Sequence, residues 1–541
     1  HPNYEHVRSG LSRFADLIKC PGLLHTFRIT PLSLWNAAAT GMELEVILAF
    51  LTEFSKWGIP QTIRNEIVQS MNRYGSLRME VFHDQLLLSA SEINVMQDIR
   101  SYPSLAPFIK EVLSDQVLEI QPFARGIIKQ ELLKIGYPVK DAAGYQRGEV
   151  LPLQLRAKLL SGRALSLRDY QTAALDAFYR EDRTELGGSG VLVLPCGAGK
   201  TMIGIAAMAR LKCATLILTS NVTSVRQWHR ELVEKTDIAE TTIGEYSGSR
   251  KEVRPITIAT YQILTYRKSK DQPFHHMQLF HQREWGLIIY DEVHLLPAPV
   301  FRVTAEIQAT RRLGLTATLV REDGHEADVF SLVGPKRFDI PWRSLESSGW
   351  IAKAICKEIL IPMLPSYREK YNNGELKHKH RIAGENPSKL DSLKQLLHSH
   401  KGEPTLIIGQ YLDQIRAVAA LVGAPLISGE MTHNERDFWY EQFRTGIVSL
   451  LVVSKVANFA VDLPDAAVAI QISGSFGSRQ EEAQRLGRIL RPKKSEQPVY
   501  FYSLVSANSR EQEFAERRQL FLLEQGYTYE IEEVSSVCVN T

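Results

Sequence analysis

Ten short apolar runs constrain this 541-residue chain more than any other feature. Five fall between residues 189 and 318: GVLVLP, ATLILT, ITIAT, WGLIIYDE and RRLGLTAT. Five more fall between 405 and 505: TLIIGQ, PLISG, SLLVVS, AVAIQIS and VYFYSLV. Runs of this length, alternating with helical patterns, belong in parallel sheets that helices cover on both faces. Two such series, joined near residues 344–350, predict an α/β chain with two doubly wound parallel-sheet domains in tandem, spanning 161–345 and 346–541.

The chain upstream reads differently. Thr30-Pro31 is a helix cap followed by proline at the first helical position. A second helix is expected over about residues 42–57, a turn at WGIP, and a third helix in QTIRNEIVQSMNRYG, ending on Gly75. Two apolar runs then flank His83-Asp84. Three helices and a hairpin over residues 1–90 suggest a winged-helix-like module; a helical protein-docking module fits the same pattern. Residues 91–160 read as a small mixed α/β module with no catalytic constellation. Net charge is only +3, so any contact with nucleic acid has to come from local basic patches. No apolar run approaches the ~18 residues of a membrane span. The first residues, HPNYEHV, resemble neither a signal nor a transit peptide. The five cysteines are scattered and form no CxxC pair, which argues against a disulfide framework or a zinc site and for a reducing, cytoplasmic setting.

The chemistry is expected at the seam LPCGAGKT, residues 194–201, between an apolar run and a helical pattern. Glycines there let backbone N–H groups turn inward around phosphate oxygens. In this reading Pro195, Cys196, Gly197, Ala198 and Gly199 form the cradle, Lys200 supplies positive charge, and Thr201 offers a hydroxyl to Mg²⁺. The strict phosphate-loop pattern fails at its first position, which is Leu194. Asp291 and Glu292 end the run LIIYDE: Asp291 is expected to hold Mg²⁺ and Glu292 to orient or deprotonate an attacking water. Near the other end, QRLGRILR places Gln484, Arg488 and Arg491 on a helical segment, with the two arginines three apart on one face. They suit arginine fingers that meet a γ-phosphate from the second domain. ATP and Mg²⁺ are thus the cofactors expected.

Together these motifs resemble superfamily 2 helicases, with two RecA-like domains, and more narrowly the XPB family in its bacterial and archaeal form. The resemblance is carried by LRDYQ (167–171), LPCGAGKT (194–201), IATYQIL (258–264), DEVHLLPAPVFR (291–302), LGLTATLVREDG (313–324), DLPDAAVAIQIS (462–473) and SRQEEAQRLGRILRPKK (478–494). It implies that Gln171, with Arg168 nearby, reads an adenine, and that Thr316 and Thr318 link the ATP site to DNA. It places Thr260 on the DNA path. Arg321, Glu322 and Asp323 would form an element that helps part the strands. A basic thumb would correspond to YREKYNNGELKHKHR (367–381), where Arg368, Lys370, Lys377, Lys379 and Arg381 outnumber two glutamates and Tyr367 and Tyr371 are interleaved. A solvated surface loop is the plainer reading of that stretch. Residues 91–160 would correspond to the family's damage-recognition domain.

The activity implied is ATP-driven 3′→5′ DNA strand separation in repair, by a monomeric motor on single-stranded or forked DNA at the nucleoid, with a repair nuclease as a partner to consider and no membrane. A duplex-DNA translocase or a remodelling scaffold would share every ATPase residue. Arg321, Glu322 and Asp323 contain nothing that phosphate, metal or water needs. Replacing all three with alanine is therefore expected to impair strand displacement far more than DNA-stimulated ATP hydrolysis, with melting unchanged. A parallel fall in both activities would mark a loop that only stiffens its domain.

Overall fold

A computed structural model describes residues 3–19, 24–179, 188–195, 197–269, 271–308, 310–317, 324–454, 466–474, 498–524 and 529–534. They group into two units, residues 1–16, 28–194 and 199–339 in the first, and 17–27, 195–198 and 340–541 in the second. The chain opens with α1 (Tyr4–Leu11), β1 (Asp16–Lys19), β2 (Thr26–Arg28), α2 (Pro31–Ala39), α3 (Leu44–Phe54) and α4 (Gln61–Arg73). Thr30 and Ser33 cap α2 reciprocally, each hydroxyl accepting the other's N–H at 3.0 Å. The hairpin β3 (Leu77–Phe82) and β4 (Gln85–Ala90) follows as expected. It turns on His83 and Asp84 at φ 47° and 62°, the left-handed pair that a tight two-residue hairpin requires.

The expected boundary at residue 90 is absent. After α5 (Ile93–Ser101) come β5 (Ile109–Val112), β6 (Val117–Ile120), α6 (Arg125–Lys134) and β7 (Val139–Asp141), and β4 pairs antiparallel with β6. One five-stranded sheet, β5-β6-β4-β3-β7, crosses that position. The cause is shared burial: Leu77, Met79, Leu86 and Leu88 from the hairpin pack with Met96, Ile99, Leu118, Ile128 and Leu132 from beyond it. Neither half closes a core alone.

The rest of the first unit alternates strand and helix: α7 (Asp169–Phe178), β8 (Ser189–Val193), α8 (Lys200–Leu211), β9 (Thr215–Thr219), α9 (Val222–Lys235), β10 (Ile243–Tyr246), β11 (Ile256–Thr260), α10 (Tyr261–Leu264), β12 (Leu287–Asp291), α11 (Ala298–Glu306), β13 (Arg311–Thr316), α12 (Glu326–Asp328) and β14 (Lys336–Asp339). The strands form a parallel sheet in the order β10-β11-β9-β12-β13-β8-β14. Every residue of β8, β9 and β11 is buried, as a sheet covered on both faces demands. The small mixed module is welded to this sheet. Asp141 takes Arg125 and Lys129 at 2.8 and 2.7 Å, and Lys129 also donates to Gln308 Oε1 at 2.5 Å. A Cβ at Gly126 of α6 would run into the Ala305 backbone of α11.

The second unit carries α13 (Trp342–Ser347), β15 (Ala354–Ile361), α14 (Pro365–Asn373), α15 (Leu376–Gly384), α16 (Lys389–Ser399), β16 (Thr405–Gly409), α17 (Leu412–Val422), β17 (Leu426–Ile427), α18 (His433–Arg444), β18 (Leu450–Ser454), β19 (Val468–Gln471), β20 (Val499–Ser506), α19 (Arg510–Glu524) and β21 (Tyr529–Glu533). Its sheet is also parallel, in the order β17-β18-β16-β19-β20-β15-β21. Both doubly wound domains are therefore present, and the units part at residues 339/340 rather than 345/346. Leu17 and Phe27 of the β1–β2 pair pack with Leu520 and Leu523 of α19, so this part of the N-terminal module belongs to the second unit.

Lys389 and Glu511 pair at 2.7 Å, both fully buried. Lys389 also donates to the Ile472 carbonyl at 2.8 Å, and Glu511 accepts the Ser506 N–H at 3.0 Å. Burial pushes the Lys389 pKa down and Glu511 pulls it back up. Breaking such a pair strands one charge in the core. Glu511→Gln is expected to cost about 3–5 kcal/mol, read as an earlier urea transition of the second unit.

Candidate active site

The seam at residue 194 begins inside the core. Leu194 is buried where the strict phosphate-loop pattern has glycine, and its N–H donates to the Thr316 carbonyl at 2.9 Å, extending β8 beside β13. The chain then turns, with Gly197 at φ 82° and Gly199 at φ 79°. Ala198 N–H closes the turn on the Pro195 carbonyl at 3.1 Å. Left-handed backbone at both glycines is what a nest of inward N–H groups needs. Lys200 and Thr201 open α8, so the positive end of that helix points at the same place. Cys196 lies outside the described residues.

Gln171 is brought to this turn. It lies buried near the start of α7, and its Oε1 accepts the Arg168 N–H at 3.0 Å. A Cβ on Gly199 would sit 2.5 Å from Gln171 Nε2. Arg168 itself donates to the Tyr170 hydroxyl at 3.0 Å.

The carboxylates stand at the end of β12. Glu292 follows the strand in a left-handed conformation, φ 51°, a strained position for a residue with a Cβ. Its Oε1 lies 3.6 Å from Lys200 Nζ. His294 Nδ1 lies 3.5 Å from Glu292 Oε2 and shares a 2.7 Å hydrogen bond with the buried Thr316 hydroxyl at the end of β13. Asp291 accepts the Trp228 indole N–H on Oδ2 at 2.9 Å, and its carbonyl accepts the Tyr261 hydroxyl at 3.0 Å. Burial, with Glu292 beside it, pushes the Asp291 carboxyl up to about 6; Trp228 and Lys200 oppose the shift. A cation beside these carboxylates would reverse it. The Asp291 carboxylate at the strand end is a hard oxygen donor of the kind Mg²⁺ takes beside a phosphate chain.

Other expected site residues fall elsewhere. Thr260 is buried, and its Oγ1 accepts the Ile263 N–H at 3.3 Å as the cap of α10. It thereby orients the helix that starts with Tyr261 and presents no exposed hydroxyl. Residues 367–381 form the helical hairpin α14–α15 rather than a loop. Arg368 donates to the Asn508 and Ala507 carbonyls at 2.8 and 2.7 Å. Lys370 and Lys379 lie over the Tyr367 and Tyr371 rings at 5.1 and 5.2 Å, and Arg381 pairs with Glu385 and Asp413. Lys377 pairs with Glu375 while 71% exposed. Tyr371 is buried and accepts the Arg510 N–H at 2.9 Å, so its ring holds the hairpin in place instead of standing ready for a base. Thr318, Arg321, Glu322, Asp323, Gln484, Arg488 and Arg491 lie outside the described residues. Sequence reasoning passed over Trp228, Tyr261 and His294. Trp228 falls in none of the motifs, Tyr261 sits inside IATYQIL with no role of its own, and His294 was visible only as the last letter of DEVH.

Gly199→Ala forces a Cβ into a left-handed position and against Gln171. Strain on the order of 1–3 kcal/mol should weaken nucleotide binding by about 5- to 150-fold, measured by calorimetric titration of ADP.

A family model for the ERCC3/RAD25/XPB C-terminal helicase matches residues 345–538, one for the type III restriction enzyme res subunit matches 164–321, and one for a helicase conserved C-terminal domain matches 1–114. The Mycobacterium tuberculosis DNA 3′-5′ helicase XPB is 49% identical over 533 residues, covering 98% of this chain and 94% of that protein. The Antonospora locustae general transcription and DNA repair factor IIH helicase/translocase subunit XPB is 33% identical, covering 97% of this chain and 78% of that protein. Among solved structures, the DNA-bound ATP-dependent type ISP restriction-modification enzyme LlaBIII shares the fold at TM-score 0.50 and 13% identity, over 71% of this chain and 33% of its own. With nearly half its residues identical to a relative along almost its whole length, the chain belongs to the XPB helicase family.

Proposed function

We propose that this protein is an ATP-dependent DNA helicase that travels 3′→5′, separates strands and serves DNA repair. The observation that carries the reading is the meeting of Lys200, Glu292 and Asp291 beside a glycine turn, in a chain 49% identical to a DNA 3′-5′ helicase XPB. Mg²⁺, when bound, neutralises phosphate charge. The chain's own residues do the rest. Backbone N–H groups at Gly197 and Gly199 and the Lys200 ammonium hold the phosphates. Glu292, its carboxylate near Lys200 and His294, orients the attacking water and takes its proton. Gln171, packed on Gly199, is placed to read the base. The His294–Thr316 bond joins the catalytic strand end to the segment that leads to Arg321, Glu322 and Asp323. Arg488 and Arg491 keep the arginine-finger role that their spacing suggests.

DNA contact falls to the hairpin α14–α15, where Lys370 and Lys377 are exposed and Lys379 is half-buried, with Arg368 and Arg381 fixing its position. The mixed sheet of residues 77–141 takes the place of the family's damage-recognition domain. No described helix is long and apolar enough to cross a membrane. The same reading has a monomeric motor acting on single-stranded or forked DNA at the nucleoid, with a repair nuclease as its protein partner.

The test is strand displacement on a 3′-tailed duplex, with triplex displacement and phosphate release measured beside it. Lys200→Ala is expected to abolish hydrolysis while DNA binding survives, and Glu292→Gln to bind ATP but turn it over very slowly. Arg488→Ala or Arg491→Ala should cut turnover by a factor on the order of 10² or more. Triplex displacement without strand separation would favour a duplex translocase, and parent-rate hydrolysis by Lys200→Ala would remove the assigned site.

A further inference from the structure

Asp291 is gripped by two aromatic donors, and one of them does more than fill the core. Trp228 lies on α9 and is 1% exposed. The helix is capped at Asn221, whose Oδ1 accepts the Ser224 N–H at 2.9 Å. The indole N–H donates to Asp291 Oδ2 at 2.9 Å. The far edge of the same ring lodges over Gly204 on α8, where a Cβ would come 2.5 Å from Cη2. One side chain therefore touches the helix that starts with Lys200, the carboxylate that ends β12, and the body of α9.

Buried tryptophans elsewhere in this unit satisfy their N–H on backbone carbonyls. Trp285 donates to Leu279 at 3.0 Å and Trp35 to Ser70 at 2.9 Å. Such partners meet the need of a buried donor at no cost to chemistry. Trp228 instead spends its donor on a carboxylate at the site. A charge-assisted bond of this kind is short, directional and stronger than a neutral one. It occupies one carboxylate oxygen and fixes the plane of the other.

We propose that Trp228 is a positioning residue for Asp291, orienting its carboxylate toward a nucleotide-bound cation and making that orientation depend on the placement of α9 against α8. The inference rests on the reading of Asp291 as the Mg²⁺ carboxylate. It predicts that the metal-dependent part of nucleotide affinity, and not nucleotide affinity as such, answers to the indole N–H. Loss of an outer partner of this kind typically costs a metal site about 10- to 100-fold.

The experiment uses the full chain and its Trp228→Phe variant. A non-hydrolysable ATP analogue is titrated calorimetrically in EDTA and across a Mg²⁺ series, with thermal melting recorded beside it. The parent should bind more tightly with Mg²⁺. Trp228→Phe should keep its metal-free affinity within about twofold, while the Mg²⁺ concentration for half-maximal binding rises about tenfold or more. A merely structural role would lower melting and metal-free affinity together and leave the Mg²⁺ dependence where it was. If Trp228→Phe does not fold, Gly204→Ala keeps every donor and drives the indole off its seat, and the same rise in the Mg²⁺ concentration for half-maximal binding is expected. A parent that binds equally with and without Mg²⁺ overturns the metal-site reading itself. A Mg²⁺-dependent parent beside a folded variant with unchanged Mg²⁺ dependence overturns the role of Trp228 alone.

Discussion

A parallel sheet covered on both faces has few places for charge, and the chief one is the carboxyl end of its strands. The first unit obeys this constraint through its strand order. β12, β13 and β8 are neighbours, although β9, β10 and β11 lie between β8 and β12 in the chain. Their ends carry Asp291, Thr316 and the glycine turn. Adjacency is why Leu194 can bond Thr316, why His294 can reach Thr316, and why Lys200 stands 3.6 Å from Glu292. Had the strands paired in chain order, β8 and β12 would lie four spacings apart, about 19 Å at ~4.8 Å per strand. No side chain would bridge that gap.

The charges that enter the core at Asp141 and at Lys389 are paired. Burial pushes Lys129 down to about 8 while Asp141 pulls it up; burial also raises Asp141, but Lys129 and Arg125 outweigh that and hold it well below the usual carboxylate range. Fully buried pairs of this sort add little net stability over apolar packing, yet are costly to break. What they supply here is geometry. The Asp141 cluster fixes α6 against α11, and the Lys389–Glu511 pair fixes the Ile472 carbonyl just beyond β19. The N-terminal segments are thus built into the two units rather than strung ahead of them.

The motifs and both doubly wound sheets were legible because each rests on local chemistry: apolar runs for buried strands, glycines for left-handed turns, carboxylates for a strand end. Strands with a mixed pattern were not. β15 reads AICKEILI, and its charges hid it, yet it lies inside the second sheet between β20 and β21. Lys357 is answered across the sheet by Glu530 and Glu532 at 3.1 and 2.6 Å, and the buried Glu358 by Gln519 of α19. β14, KRFD, is an edge strand whose Lys336 N–H bonds Asn36 of α2. In each case the partner that makes a polar residue tolerable comes from far away in sequence.

The sequence by itself determined the class of fold, the glycine turn and the family, since these depend on residue type at fixed short spacing. Only the tertiary structure decided where the modules end, because a core shared across residue 90 is a property of packing and not of pattern. Only the tertiary structure turned Tyr371 from an interleaved aromatic into a buried strut and Thr260 into a helix cap. It also set Trp228 on Asp291, a contact 63 residues apart in the chain. A tryptophan in an amphipathic helix announces that it will be buried. Which acceptor its one N–H finds is set by the strands and helices that close around it.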